Sequence, residues 1–343
     1  EMRWLMLGVG AIGGYVGGSL VLADEDVTFL DRPQTAQLLQ RDGLTLRIGG
    51  QAHHLTQLHV VSSLPEALRA APYDVAVLAV KSYDTDGVVE MLAPYVVSLP
   101  PVLCLQNGVE NELRLAQVLG QDKVLRGTVT SAIGRRPGEI VLERLRGLGV
   151  AKEHALAPAL VNALNRAGLR AHLFENGPAM KWSKMLTNLL ANASAALLDW
   201  SAAQVFANPQ LYRLEMAQLH EALAVMRALH LPVVDLPGTP VRALAMAARL
   251  PVALSQPLLR RALGRGRGGK MPSFHIDLHS GSGKSEVAYL NGAVARLGQA
   301  VGVPAPVNRR LTELLMAVTT GQLPMDAFRN RPQALWEAVY ERA

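Results

Sequence analysis

Short apolar runs separated by helical-period or polar segments fill the first half of the chain, and after about residue 175 the helical period stands alone. Runs at residues 3–7, 27–30, 44–48, 59–61, 75–80 and 102–105 predict strands. Segments such as 64–71 and 86–92 lie between them, and the alternation predicts a mostly parallel sheet covered on both faces. Residues 123–132 and 138–150 are rich in β formers with turn residues between, and 169–174 predicts one more strand. Beyond it, apolar positions recur at helical spacing in 179–198, 209–229, 238–263, 284–301, 307–321 and 332–341, with Pro and Gly as punctuation. The expected fold class is α/β: a doubly wound sheet domain over residues 1–175, then an all-helical domain over 176–343.

The helix that opens the second half has an unusual polar face. Residues 179–193 contain no Gly or Pro and follow Asn176-Gly177-Pro178, a start signal. Lys181, Lys184, Asn188 and Asn192 are spaced 3, 4 and 4, which sets them on one stripe, while Met185, Leu186, Leu189, Leu190 and Leu197 take the remainder. Asn is a poor helix former, so a merely solvated stripe would carry Glu, Lys, Gln or Arg. A cation and two amides along about 12 Å of axis suit an oxygen-rich small molecule. The plainer reading is an exposed face with two indifferent asparagines.

Residues 3–7 run straight into Gly8-Val9-Gly10-Ala11-Ile12-Gly13 and then a helix-like run to residue 23. This is G-x-G-x-x-G in the strand-turn-helix setting that gives it meaning. The first glycine permits the tight turn, the second lets a pyrophosphate approach the backbone, and the third lets helix and strand pack closely. Phosphates then meet free N–H groups at the positive end of the helix. The N-terminal domain thus reads as Rossmann-like, with Gly8, Gly10, Ala11, Ile12 and Gly13 at the cofactor. The strand at 27–30 ends in Asp31-Arg32, where Asp31 would accept from the ribose hydroxyls of NAD and Arg32 would pair with the extra phosphate of NADP. Two further strand ends carry polar groups at the ligand edge, Lys81 and Gln106-Asn107-Gly108, and both Lys81 and Asn107 are expected at the cofactor and substrate cleft.

Composition narrows the class. With 343 residues, 50% hydrophobic and 18% charged, the chain can bury two cores. It shows no apolar run of membrane-spanning length and no basic leader with a cleavage site, so no membrane partner and a cytoplasmic location are expected. Cys104, the single cysteine, lies in an apolar run and reads as a buried strand thiol. A net charge of +6 spread along the chain suits an anionic small ligand rather than nucleic acid. The Gly/Arg patch at 264–270 lacks interleaved aromatics and reads as a surface loop. Gly281-Ser282-Gly283-Lys284-Ser285 ends like a Walker loop, but Leu278 stands where its first glycine belongs and no strand leads in. His275, Asp277 and His279 lack a further ligand cluster, and no metal is expected.

Taken together these residues resemble the ketopantoate reductase (2-dehydropantoate 2-reductase) family over nearly the whole chain. The resemblance rests on the Gly8 to Gly13 turn, Val80-Lys81, Gln106-Asn107-Gly108 and the Lys184, Asn188, Asn192 helix. It continues through Ser273 with Asp277, Ser285-Glu286, Tyr289-Leu290-Asn291-Gly292, Gly302-Val303-Pro304 and Pro306-Val307-Asn308. It implies NADPH-dependent reduction of ketopantoate at C2, with Lys184 as general acid and Glu286 binding the distal hydroxyl. Asn188 and Asn192 would then orient the substrate, Ser273 and Asn107 would help hold its carboxylate, and Lys81 would lie beside the cofactor. Burial beside Trp182, Met185 and Leu186 would lower the pKa of Lys184, fitting it to donate a proton. Hydride addition builds charge on the keto oxygen, which an ammonium can stabilise and then protonate.

Asp31 beside Arg32 leaves NAD open as an alternative to NADP, and a homodimer is compatible with the chain. An NAD-dependent D-2-hydroxy acid dehydrogenase of another branched 2-oxo acid is the neighbouring alternative. A non-catalytic NAD(P)-binding redox sensor is the alternative from another class. Relative to the family, the chain is longer between about residues 232 and 271, and its spacing from Ser273 to Glu286 is one residue longer.

Overall fold

A computed structural model describes residues 1–267 and 271–341. The chain forms two compact units: residues 1–181 together with 236–239, and residues 182–235 together with 240–343.

The first unit carries every named strand, twelve in all among the described residues. They are β1 (Arg3–Leu7), β2 (Asp26–Leu30), β3 (Leu44–Ile48), β4 (Gln51–Leu55), β5 (His59–Val61) and β6 (Val75–Leu78). The set continues with β7 (Val102–Cys104), β8 (Val124–Val129), β9 (Ala132–Arg136), β10 (Glu139–Arg144), β11 (Leu148–Ala151) and β12 (Ala171–Phe174). Eight of them form one sheet in the order β12-β11-β8-β7-β6-β1-β2-β5. Only the β8–β11 pairing in it is antiparallel. Successive side chains of β1 show why both faces must be covered: Trp4 and Met6 join one buried apolar cluster, Leu5 and Leu7 the other.

The first of those clusters lies under α1 (Ala11–Leu22). This helix is apolar all round because it is walled on two sides. A Cβ on Gly17 would meet Phe29 at 2.5 Å, while one on Gly14 or Gly18 would meet Ile140 at 2.2 Å or Leu46 at 2.5 Å. Those last two side chains belong to a second sheet, ordered β4-β3-β10-β9. The strand expected at 44–48 therefore leaves the main sheet and pairs with 51–55 across Gly49-Gly50, both at positive φ (57° and 81°). β4 went unpredicted because Gln51-Ala52-His53-His54-Leu55 buries nothing fully, although Gly-Gly after an apolar run is a hairpin signal.

α2 (Pro33–Asp42) adds Ala36 and Leu39 to the α1 cluster, while the opposite face of the main sheet is covered by α3 (Leu64–Arg69), α4 (Thr85–Leu92) and α5 (Asn111–Leu119), whose Leu64, Leu92, Leu115 and Leu119 sink into it. Next come α6 (Ala157–Arg166), whose Leu160 and Leu164 pack with the α1 cluster, and α7 (Gly177–Leu189). The Asn176 side chain accepts from the Ala179 N–H at 2.9 Å and caps the start of α7. The division between units falls inside this helix, after Lys181.

The second unit is helical, as expected: α8 (Ala193–Leu198), α9 (Ala202–Ala207), α10 (Pro209–Ala228), α11 (Val241–Ala247), α12 (Val252–Arg267), α13 (Ser273–His279), α14 (Asn291–Ala300), α15 (Pro306–Thr319) and α16 (Pro332–Tyr340). Asn208 caps α10 through the N–H groups of Gln210 and Leu211 at 3.0 and 3.1 Å, ahead of Pro209 at the first helical position. α14 and α15 are fastened to α10 by buried amides. Asn291 donates to Gln218 (2.9 Å) and Asn308 (3.0 Å), and Asn308 donates to Glu221 at 2.7 Å. The Asn291-Gly292 and Val307-Asn308 sequences are thus core clamps.

Three helical expectations change. The run 238–263 divides at Pro251 into α11 and α12, leaving Met246, Leu250, Leu254 and Leu258 exposed. The Gly/Arg patch read as a loop is helical through Arg267, and its last three residues, 268–270, lie outside the described residues. The run 179–198 breaks after Leu189, with Ala191 at φ 49°. Among the described residues, no helix is long and apolar enough to cross a membrane.

Candidate functional site

In the first unit the glycine turn has the geometry that its sequence implies. Gly8 sits at φ 99°, and a Cβ on Gly13 would stand 2.1 Å from the Gly8 carbonyl oxygen, so the turn closes only on glycine. A Cβ on Gly10 would meet nothing within 4 Å. That open space, at the N-cap of α1 with Ala11 and Ile12 in the first turn, is where a pyrophosphate could reach the backbone.

Asp31 ties the turn to the end of β2. One carboxylate oxygen accepts from the Val9 N–H and the other from the Arg32 N–H, each at 2.7 Å. Its strongest acceptor directions are therefore taken by backbone, whereas Arg32 lies exposed at the N-cap of α2. These residues fit a dinucleotide, and the exposed cation fits one with an additional phosphate.

The two other polar strand ends are stitched together by a buried network that the sequence did not disclose. Ser82 Oγ donates to the Asn107 carbonyl at 2.8 Å, and Asn111 Nδ2 donates to the same carbonyl at 2.8 Å. Gln106 Nε2 donates to the Val80 carbonyl and to Thr85 Oγ1, both at 2.9 Å, while Thr85 donates to Asn111 Oδ1 at 2.9 Å. The main chain after Val80 and the Gln106-Asn107-Gly108 turn, with Gly108 at φ 98°, are thereby held as one body. Lys81 is exposed and Asn107 half-buried on this frame. Ser82, Thr85 and Asn111 are short polar residues just past strand ends, a pattern readable as loop chemistry but not as a network.

Lys181 departs from the expected stripe. It is only 3% exposed and Glu112 only 2%, and they form an ion pair at 2.7 Å within the first unit. Its ammonium also donates to the carbonyls of Gln106 (2.6 Å) and Gly127 (3.0 Å). Lys181 is thus a buried brace for the turn that carries Asn107. A helical wheel gives its angle but not the body that surrounds it.

In the second unit the rest of the stripe is assembled around the break in α7. Glu215, fully buried on α10, accepts from the Ala191 N–H at 2.6 Å and from Ser194 Oγ at 2.5 Å, and Gln218 donates to it as well. The break places Asn192 at the N-cap of α8, 4% exposed. Its amide donates to the Asn188 carbonyl (2.9 Å) and to Ser273 Oγ (3.2 Å), and its oxygen accepts from the Phe274 N–H (3.0 Å). Asn188, Asn192 and Ser273 therefore form one connected group.

Lys184 and Asn188 remain one turn apart on α7, both half-buried, and Asn188 Nδ2 is buried with no hydrogen-bond partner among the described residues. A buried amide hydrogen without an acceptor is costly, which points to a ligand oxygen. Glu286, 4% exposed, opens a short 3₁₀ turn (Glu286–Tyr289) behind Ser285, whose side chain caps the Val287 N–H at 3.2 Å. Cys104 is fully buried, and burial pushes its thiol far above the usual range, as expected of a strand thiol.

A mostly parallel sheet whose first turn is G-x-G-x-x-G, fitted to a dinucleotide, defines the Rossmann-like dinucleotide-binding class. Residues 4–151 match the family described as ketopantoate reductase PanE/ApbA, and residues 178–319 match the C-terminal domain of the same family. The chain belongs to the ketopantoate reductase family of oxidoreductases. It is 26% identical over 320 residues to a 2-dehydropantoate 2-reductase of Pyrococcus horikoshii, spanning 92% of this chain and 97% of that protein. Against the Archaeoglobus fulgidus protein of the same name, identity is 27% over 324 residues, spanning 93% and 98%. A solved PanE/ApbA family ketopantoate reductase from Ralstonia eutropha JMP134 is similar with a TM-score of 0.79 and 26% identity, covering 94% of this chain and 99% of that one. A D-mandelate dehydrogenase solved with NADH and anilino(oxo)acetate shares the fold, with a TM-score of 0.73, 21% identity and coverage of 93% and 99%.

Proposed function

We propose that this chain is an NADPH-dependent reductase of a branched 2-oxo acid, converting 2-dehydropantoate to pantoate. The observation that carries the proposal is the group on α7: Lys184 one turn from an Asn188 amide that is buried without a partner, joined through Asn192 to Ser273. An ammonium and an unfilled amide donor on one stripe match a substrate that presents oxygen acceptors and develops negative charge in the reaction. Bound NADPH would supply the hydride. Lys184 stabilises the charge growing on the C2 oxygen and delivers its proton there, a contribution of roughly 10²–10⁴-fold in rate.

Asn188 donates to the substrate, and Ser273 with Asn107 holds the carboxylate. Asn192, whose amide is already committed within the protein, acts by positioning Asn188 and Ser273. Glu286 accepts from the distal hydroxyl. For the cofactor, Gly8, Gly10, Ala11, Ile12 and Gly13 receive the pyrophosphate, Lys81 and Asn107 lie at the nicotinamide side, and Arg32 pairs with the 2′-phosphate. Asp31 shapes the turn, because its carboxylate oxygens are held by Val9 and Arg32 N–H groups.

The test follows NADPH and NADH oxidation side by side on a panel of branched 2-oxo acids. Turnover of 2-dehydropantoate with NADPH that disappears in Lys184→Ala, with cofactor binding intact, supports the proposal. Tight cofactor binding with no oxidation for any 2-oxo acid would instead make the chain a sensor. Preference for NADH and another 2-oxo acid would make it a D-2-hydroxy acid dehydrogenase. In Arg32→Ala the loss of charged phosphate contacts worth about 1.5–3 kcal/mol should weaken NADPH by roughly 10- to 150-fold and leave NADH unchanged.

A further inference from the structure

We infer that Asp199, His275 and His279 form a binding site for a borderline divalent transition-metal cation, zinc foremost. Sequence patterning sets Asp277 as the carboxylate beside the two histidines and finds no further ligand cluster. The fold supplies a different carboxylate. Asp199 ends α8 in the left-handed conformation (φ 56°), and that turn carries its carboxylate to the face of α13 where His275 and His279 stand one turn apart. One ligand atom from each of the three residues lies within 4.8 Å of the other two. A tetrahedral zinc site with bonds of about 2.0 Å has ligand atoms roughly 3.3 Å apart, so a modest closure of accessible side chains completes it.

The hydrogen bonds already select the donor atoms. His279 Nδ1 lies 2.9 Å from the His275 carbonyl, which can only accept. The proton of His279 is therefore on Nδ1 and the Nε2 lone pair is available, with the backbone carbonyl orienting the ring as outer-shell partners of metal-bound histidines do. His275 Nε2 lies 2.7 Å from Asp199 Oδ1, and the two imidazoles stack with centroids 4.1 Å apart. A cation bound at His275 Nε2 replaces the proton of that bond, which moves to Nδ1 of a neutral ring or leaves an imidazolium for solvent. Arg329 approaches only the other carboxylate oxygen, at 3.5 Å, so Asp199 binds through one oxygen. Two imidazoles and one carboxylate suit zinc, cobalt, nickel or copper rather than magnesium or calcium, and water completes the shell.

The alternative is a bare ion pair closing the end of α8, in which His279 has no part. Tag-free, chelator-stripped full-length protein titrated with Co²⁺ distinguishes them. One Co²⁺ per chain with a visible d–d band, displaced by Zn²⁺, is expected for the native protein and for His172→Ala, an exposed histidine elsewhere. His279→Ala leaves the Asp199–His275 pair in place, yet should weaken binding by more than the roughly 10- to 100-fold that loss of an outer-shell partner costs. Asp199→Asn should do the same. No band in the native protein, or a band of equal affinity in His279→Ala with unchanged circular dichroism, overturns the inference.

Discussion

Replacing Glu112 by Gln tests whether the Lys181 brace carries the weight that its burial implies. Both partners are almost wholly enclosed, their charged atoms are 2.7 Å apart, and neither Glu112 oxygen has an aligned hydrogen-bond donor. The carboxylate is thus stabilised by charge attraction more than by directed bonds. Without its charge, the ammonium stays buried with only neutral oxygens around it, the carbonyls of Gln106 and Gly127 among them. Removing one member of a buried pair costs about 3–5 kcal/mol, because the remaining charge is uncompensated. For a unit of this size each kcal/mol lowers the melting temperature by about 2–4 °C, so a drop of roughly 6–20 °C is expected by calorimetry.

The double variant Lys181→Met with Glu112→Leu removes both charges and should recover most of that loss, since apolar replacement of a buried pair is often neutral or stabilising. The turn bearing Asn107 loses its Lys181 bond in the double variant, so stability should return while cofactor or substrate binding falls below that of the native protein. A Glu112→Gln cost below about 1 kcal/mol, the range of exposed pairs, would refute the reasoning.

Three further outcomes can be checked. Gly13→Ala should collapse the glycine turn, its Cβ being forced to 2.1 Å from the Gly8 oxygen, whereas Gly10→Ala should melt like the native protein yet bind NADPH weakly in a fluorescence titration, because its Cβ occupies space left open for the ligand. Glu25 is buried, which alone would raise its pKa, but bonds from the Met2 N–H, Arg166 and the Trp4 indole outweigh this and hold it low. Its stabilising contribution is therefore complete above the unfolded value of about 4.3 and is lost as pH falls through the lower folded value, so Glu25→Gln should flatten the acid limb of a urea-midpoint profile. Asn192→Ala removes three hydrogen bonds and orphans the Phe274 N–H, costing about 2–4 kcal/mol, and should raise KM for the 2-oxo acid through displaced Asn188 and Ser273.

Local signals were legible and long-range ones were not. The strand, glycine turn and helix at the N-terminus are specified by residues within about twenty positions of one another, so sequence alone located the turn that Gly8 and Gly13 close. The second sheet was missed because β4 presents mostly solvent-facing polar side chains, and its partner β3 looks like any half-buried strand. The stripe on α7 shows the limit most clearly. Helical periodicity put Lys181, Lys184, Asn188 and Asn192 on one line, but it could not reveal that Glu112 claims Lys181 or that Glu215 holds Ala191 out of the helix.

Both of these intervening groups are buried carboxylates lying far along the chain, and each acts on the polar stripe at one end. Glu112 fixes Lys181 and, through it, the Gln106 carbonyl; Glu215 breaks the helix so that Asn192 turns from a substrate-facing amide into a cap joining Asn188 to Ser273. What remains of the stripe after both are accounted for is Lys184 and Asn188, the pair in which one amide hydrogen still lacks an acceptor. The residues spent on architecture therefore isolate those left for chemistry, and a helical wheel alone would have counted all four alike.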